Sequence, residues 1–149
     1  MRQKADQIIK ESLEAVMPDH AVEKALQNFQ SSGGRTILVA AGKAAWQMAA
    51  VAVRVLGCVD DGIVITKYNH VKGKIPGVEC REAGHPVPDE NSFAATEKAL
   101  EKVRDLDEKD TVIFLLSGGG SALFEKPLIP GEELQDITKQ LLACGADIL

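Results

Sequence analysis

The 149-residue sequence has little cysteine, and what it has is unorganised. Cys58, Cys80 and Cys144 are odd in number, widely scattered and form no Cys-x-x-Cys pair. That argues against a disulfide framework or a cysteine metal pair, and free thiols in a reducing compartment are expected. No run of Lys or Arg stands out against a formal net charge of -5. The expected partners therefore include neither nucleic acid nor an anionic membrane. No apolar run approaches the ~20 residues of a membrane helix. Residues 1–6 lack the apolar stretch of a secretory signal, so a cytoplasmic protein is expected. Internal repeats and low-complexity tracts are absent too, and the length suits one domain with a real core.

What the sequence does contain is a series of short apolar runs closed by glycine. The chief one is Thr111-Val112-Ile113-Phe114-Leu115-Leu116-Ser117-Gly118-Gly119-Gly120-Ser121-Ala122-Leu123. Val112 to Leu116 reads as a strand buried on both faces. Three successive glycines permit positive φ and close approach to a ligand. Their N–H groups can converge into an anion-binding concavity, with the Ser117 and Ser121 hydroxyls as further donors. The same residues also suit a plain tight turn between a strand and the next element.

Elsewhere the pattern alternates between helix and strand. Residues 3–16 carry an apolar stripe of Ile8, Ile9, Leu13 and Val16, stopped by Pro18. A second helix, capped by Asp19, runs to about Phe29 with Val22, Ala25 and Leu26 inward. Thr36–Ala41 is a buried strand, followed after Gly42-Lys43 by a helix to Leu56. That helix is apolar almost all round and must be covered on more than one side; Gly57 ends it. Gly62–Thr66 is a third strand, Lys67 to Gly77 a polar loop, and Val78–Ala83 a half-apolar strand nearer an edge. The prolines of Gly84-His85-Pro86-Val87-Pro88-Asp89 predict a stiff, extended loop. Asp89 or Asn91 then caps a helix whose inner face is Phe93, Ala94, Leu100 and Val103. A last helix carries Leu134, Ile137, Leu141 and Leu142, with Gly145 placed to end it.

This alternation predicts an α/β fold: a mostly parallel, Rossmann-like sheet with helices on both faces, in three α/β/α layers. Ligands of such folds sit at the carboxyl ends of the strands. Gly42-Lys43, Gly84–Asp89 and Ser117–Ser121 all fall there, so one rim is the expected site. Lys43 opens a helix, where a bound phosphate or carboxylate would be attracted by both the lysine and the helix N-terminus; alternatively it extends into water. His85 is either a hydrogen-bond donor of the site or a loop residue bonded to backbone. Asp89 could orient substrate or metal, with helix capping as its structural role. Ser117 and Ser121 lack a Gly-x-Ser-x-Gly elbow and a partner base, which favours anion binding over nucleophilic catalysis. Neither a Walker A loop nor a Gly-x-Gly-x-x-Gly fingerprint is present, and no histidine has a second ligand at metal-binding spacing, so no protein metal site is expected. Cys80 and Cys144 read as packing residues.

Three segments taken together are distinctive: Gly42-Lys43-Ala44-Ala45, Glu82-Ala83-Gly84-His85-Pro86-Val87-Pro88-Asp89 and Ser117-Gly118-Gly119-Gly120-Ser121-Ala122-Leu123. In this order they resemble the glycerate 2-kinase family whose C-terminal half is the MOFRL domain, some members of which were labelled hydroxypyruvate reductases. The resemblance extends through Thr66-Lys67-Tyr68 and the closing Gly145-Ala146-Asp147-Ile148. It implies ATP- and Mg²⁺-dependent phosphorylation of D-glycerate at its 2-hydroxyl, in a cleft between two domains. By that resemblance Lys43 would contact phosphate or substrate. The Ser117-Gly118-Gly119-Gly120-Ser121 loop would cradle an anion, beside His85 and Asp89. Family members are longer, so residues 1–149 are expected to be the N-terminal domain, with the C-terminal domain as a missing partner. The apolar Ile148-Leu149 end and the all-round apolar helix agree with a missing half, and a homo-oligomer is a further possibility. Two other readings of the rim stay open: a non-catalytic module for phosphorylated or carboxylated ligands, and a phosphosugar-binding, isomerase-like domain.

Overall fold

A computed structural model describes residues 2–145 of the chain. Residues 146–149, which hold the apolar Ile148-Leu149 end and most of the closing Gly-Ala-Asp-Ile segment, lie outside the described residues. Three apolar runs and one more polar segment form parallel strands: β1 (Thr36–Ala41), β2 (Asp61–Lys67), β4 (Thr111–Leu116) and, the polar one, β3 (Glu79–Ala83). They lie in one sheet in the order β3-β2-β1-β4. The helices are α1 (Arg2–Val16), α2 (Pro18–Leu26), α3 (Ala45–Leu56), α4 (Glu90–Lys102), α5 (Gly120–Leu123) and α6 (Gly131–Ala143).

Successive side chains of a strand point to opposite faces, so each central strand feeds two cores. On one face Leu38, Ala40 and Val64 pack with Val22 of α2 and Ala45, Ala49 and Ala52 of α3. On the other, Ile37, Val39, Ile63 and Ile65 pack with Ala95 and Ala99 of α4 and Leu123 of α5. The three-layer α/β/α expectation is met. α3 is covered by the sheet on one side and by α2 on another, as its all-round apolar sequence requires. It ends at Gly57, whose φ is 82°.

Several local expectations change. β4 is an edge strand, not one buried on both faces: Val112, Phe114 and Leu116 are 38%, 47% and 60% exposed. Its apolar run reports what it can pack against, and the described residues supply a neighbour only on the β1 side. α1 forms as read but buries none of its stripe. α2 begins at Pro18 with Met17 as its cap residue rather than Asp19, it stops at Leu26, and Ala25 is exposed. On α4 the buried positions are Ser92, Ala95, Thr96 and Ala99. Small residues let the helix lie close on the sheet, and Thr96 satisfies its hydroxyl by donating to the Ser92 carbonyl at 2.9 Å. Phe93 is displaced to the flank, against Gly131. Cys144 is exposed rather than packed, whereas Cys80 packs against the first core.

The end of the sheet opposite the rim is tied by charge. Arg35 donates from Nη2 to Asp110 Oδ2 at 2.7 Å, and its backbone N–H donates to Asp110 Oδ1 at 2.7 Å. The Asp110 side chain is 4% exposed. The Arg35 guanidinium, with the Asp107 and Arg35 amides, holds the carboxyl down from 3.8 to about 2. A depressed carboxyl stabilises the fold above its unfolded value and loses that contribution as pH falls toward the folded one. Asp110→Asn should therefore lower the urea midpoint at pH 7, and its deficit should close as pH falls from 3.8 to about 2. Equal midpoints at pH 7 would show that the lock carries no stability.

Candidate active site

The rim is built on a close approach between the ends of β1 and β4. Gly42 has φ of 115°, and a Cβ there would strike the Ser117 hydroxyl and carbonyl. Only glycine fits this position. Ser117 donates its N–H to the Ala41 carbonyl at 2.9 Å and accepts the Ala44 N–H on Oγ at 3.0 Å. Its hydroxyl is thus a clasp inside the protein. Lys43 sits just before α3 and donates its N–H to the Gly118 carbonyl at 2.9 Å. Its side chain runs back along the same loop, so that a Cβ on Gly118 would lie 3.6 Å from Lys43 Cε and 4.0 Å from Nζ.

The third loop closes over this pair from β3. Gly119 adopts φ of 89°, and a Cβ on it would lie 2.7 Å from His85 Nε2 and 3.3 Å from Lys43 Cγ. The loop reaches this place through a bend at His85–Val87 with a cis His85–Pro86 peptide, rather than by running extended. Burial, the charge of Lys43 and that of Lys67 lower the His85 pKa below its ordinary 6.5. The imidazole is consequently neutral near pH 7, with one N–H and one lone pair. Gly120 is buried where α5 starts and Ser121 is exposed beside it. The three expected loops do converge.

Asp89 is the α4 cap. Its Oδ1 accepts the Ser92 N–H at 3.0 Å, and Ser92 Oγ accepts the Asp89 N–H at 3.1 Å, completing a reciprocal capping box. Its Oδ2 accepts the Tyr68 hydroxyl at 2.6 Å, and that hydroxyl accepts from Asn91 Nδ2 at 2.6 Å. Burial pushes the Asp89 carboxyl up, but hydrogen bonds from Tyr68, Gly84 and Ser92 outweigh it and leave the group below its ordinary value. Sequence reasoning missed Lys67, Tyr68 and Asn91 as members of this rim. The signal was available for Lys67, since the loop after β2 lies at a strand carboxyl end like the other three.

Among the described residues no group of three or more His, Cys, Asp or Glu side chains is placed to hold a metal ion. A groove of about 580 Å³ lies along β3 and α4, lined by Cys80, Arg81, Glu82 and Lys98 among others. It approaches the rim through Asn91 alone of the residues above, and Lys98 and Arg81 there are already paired with Glu79. The open rim carries two lysines, a neutral imidazole and a glycine loop.

The protein is thus a parallel three-layer α/β domain with a cationic, glycine-lined rim at the carboxyl ends of its strands. Residues 4–149 match the family model described as "Domain of unknown function (DUF4147)", and the chain belongs to that family. The D-glycerate 2-kinase of Thermotoga maritima is 52% identical over 151 residues, which cover 99% of this chain and 36% of that protein. The glycerate 2-kinase of Pyrococcus horikoshii is 43% identical over 117 residues, covering 77% of this chain and 26% of the relative. A crystal structure of glycerate kinase from Thermotoga maritima, 53% identical, aligns with a TM-score of 0.85 over 97% of this chain and 35% of its own. The chain thus spans about a third of the length of these relatives. No described helix is long and apolar enough to cross a membrane.

Two outcomes test this geometry. Gly119→Ala should cost roughly 1–3 kcal/mol in denaturant unfolding, from positive φ and the His85 contact. Gly118→Ala should stay within about 0.5 kcal/mol, since only a flexible lysine meets it; equal losses would contradict the arrangement. In a histidine NMR titration, His85 should lose its proton below pH 6.5 and shift upward when inorganic phosphate is added. Because its folded pKa is depressed, its contribution to stability is present above 6.5 and is lost as pH falls toward the folded value.

Proposed function

We propose that this chain forms one wall of the active site of a D-glycerate 2-kinase, which transfers a phosphoryl group from ATP to the 2-hydroxyl of D-glycerate. A second domain outside this chain closes the cleft. The observation that carries the reading is Lys43 lying along Gly118 and Gly119 on the rim, in a chain 52% identical over 99% of its length to a D-glycerate 2-kinase.

When bound, ATP supplies the phosphoryl group. The residues present fit its phosphates: Gly118 is open to solvent, and the Lys43 amine lies beside it. Phosphoryl transfer asks little covalent chemistry of side chains; positioning and charge stabilisation carry most of it. The backbone of the glycine loop is held by the Lys43 N–H before ligand arrives, so little reorganisation of the loop is needed when negative charge develops on the transferred group. His85, neutral, places a hydrogen-bonding ring nitrogen beside them. Mg²⁺ belongs to the proposal as companion of the nucleotide. The described donor set does not fit a protein-held metal, because both Asp89 oxygens are engaged by Ser92 and Tyr68. The three free thiols suit a reducing, cytoplasmic compartment.

The test is a ³¹P NMR assay of the polypeptide carrying this chain at its relatives' length, supplied with Mg·ATP and D-glycerate. 2-Phosphoglycerate should form, and Lys43→Ala should lower kcat by roughly 100-fold or more. A folded protein that makes no phosphoglycerate, or a fully active Lys43→Ala variant, would overturn the reading.

A further inference from the structure

Lys67 is the last residue of β2, and its Cα pairs with Ala83, immediately before the Gly84–Asp89 loop. Along β2, Ile63 and Ile65 point into the core under α4 and α5, and Val64 points the other way. By the same alternation Lys67 leaves the sheet on the α4–α5 side, where His85 meets Gly119. Lys67 is half-buried. Among the described residues neither Lys67 nor Lys43 makes an ion pair, whereas Lys98, Lys102 and Lys126 are matched to Glu79, Asp61 and Glu97. The two charged groups that bear on His85 are these two lysines. Both cations disfavour the charged form of the imidazole, and an anion bound between them would offset that effect.

The sheet order separates their tasks. β1 and β4 are neighbours, which sets Lys43 against Gly118 and Gly119. β2 lies one strand over, between Lys43 and the His85 loop. We propose that Lys67 is a specificity residue that binds the carboxylate of the hydroxy-acid substrate, while Lys43 and the glycine loop take the phosphoryl group. The inference rests on the kinase reading of the rim and adds a second anion subsite to it.

Lys67→Gln and Lys67→Arg in the polypeptide of relatives' length test the assignment. Lys67→Gln should raise the KM for D-glycerate roughly 10- to 100-fold, the usual loss of a charge-assisted hydrogen bond, and leave the KM for ATP within about 2-fold. Lys67→Arg should recover much of that loss. Independently of turnover, Lys67→Gln should move the His85 titration toward 6.5 in ligand-free protein. D-glycerate, but not glycerol, should shift the His85 resonances in the wild type and not in Lys67→Gln. An unchanged D-glycerate KM, equal losses for both substrates, or no D-glycerate shift in the wild type overturns the proposal. If no phosphoglycerate forms yet D-glycerate still shifts His85 through Lys67, the kinase reading fails and the carboxylate subsite stands.

Discussion

The contact between Gly42 and Ser117 is the constraint on which the rim depends. Without a side chain at 42, the first turn after β1 can lie against the backbone of the turn after β4. Ser117 then joins the two, bonded to Ala41 through its N–H and to Ala44 through its hydroxyl. Everything above follows from that junction. It sets where Gly118 presents its carbonyl to Lys43, where Gly119 turns, and how near His85 comes. A bulky residue at 42 would separate β1 from β4 at the point where the rim loops meet.

The two ends of the sheet are satisfied in different ways. At the amino ends of the strands, carboxylates meet cations within the fold: Asp110 with Arg35, Asp61 with Lys102, Glu79 with Lys98. At the carboxyl ends, Lys43 and Lys67 have no such match among the described residues. The first kind of contact is closed within the fold, whereas the rim lysines keep their charge free of it. Asp89 stands between these cases. It lies on the rim, yet its oxygens hold α4 and Tyr68 in place.

The layers and the three rim loops were legible because they depend on local signals: apolar runs closed by glycine, proline beside histidine, and a cap before a helix. What was not legible depends on partners far apart in the chain. Tyr68 and Asp89 are separated by 21 residues, and nothing in the polar loop around Tyr68 names its acceptor. The edge position of β4 was hidden for a related reason, since an apolar strand states an appetite for neighbours and not their number. The inner face of α4 was only partly placed: Val103 packs against the second core, whereas Ala94 is exposed. Ala95 and Ala99 are among the residues buried under the helix, and Phe93 lies at its flank beside Gly131. Ser117 was read as a ligand donor from its type, and its geometry makes it a brace.

Lys43 contributes to the rim in two separable ways. Its backbone N–H fixes the Gly118 carbonyl, and its side chain lies along the outside of the same loop. Any residue except proline can provide the first contribution, so charge at this position can be exchanged while the frame is kept. Positions 117 and 119 lack that freedom, because there the side chain, or its absence, is itself part of the frame. The rim is therefore a fixed frame with an interchangeable tip, and the charge at residue 43 can change without the sheet being rebuilt.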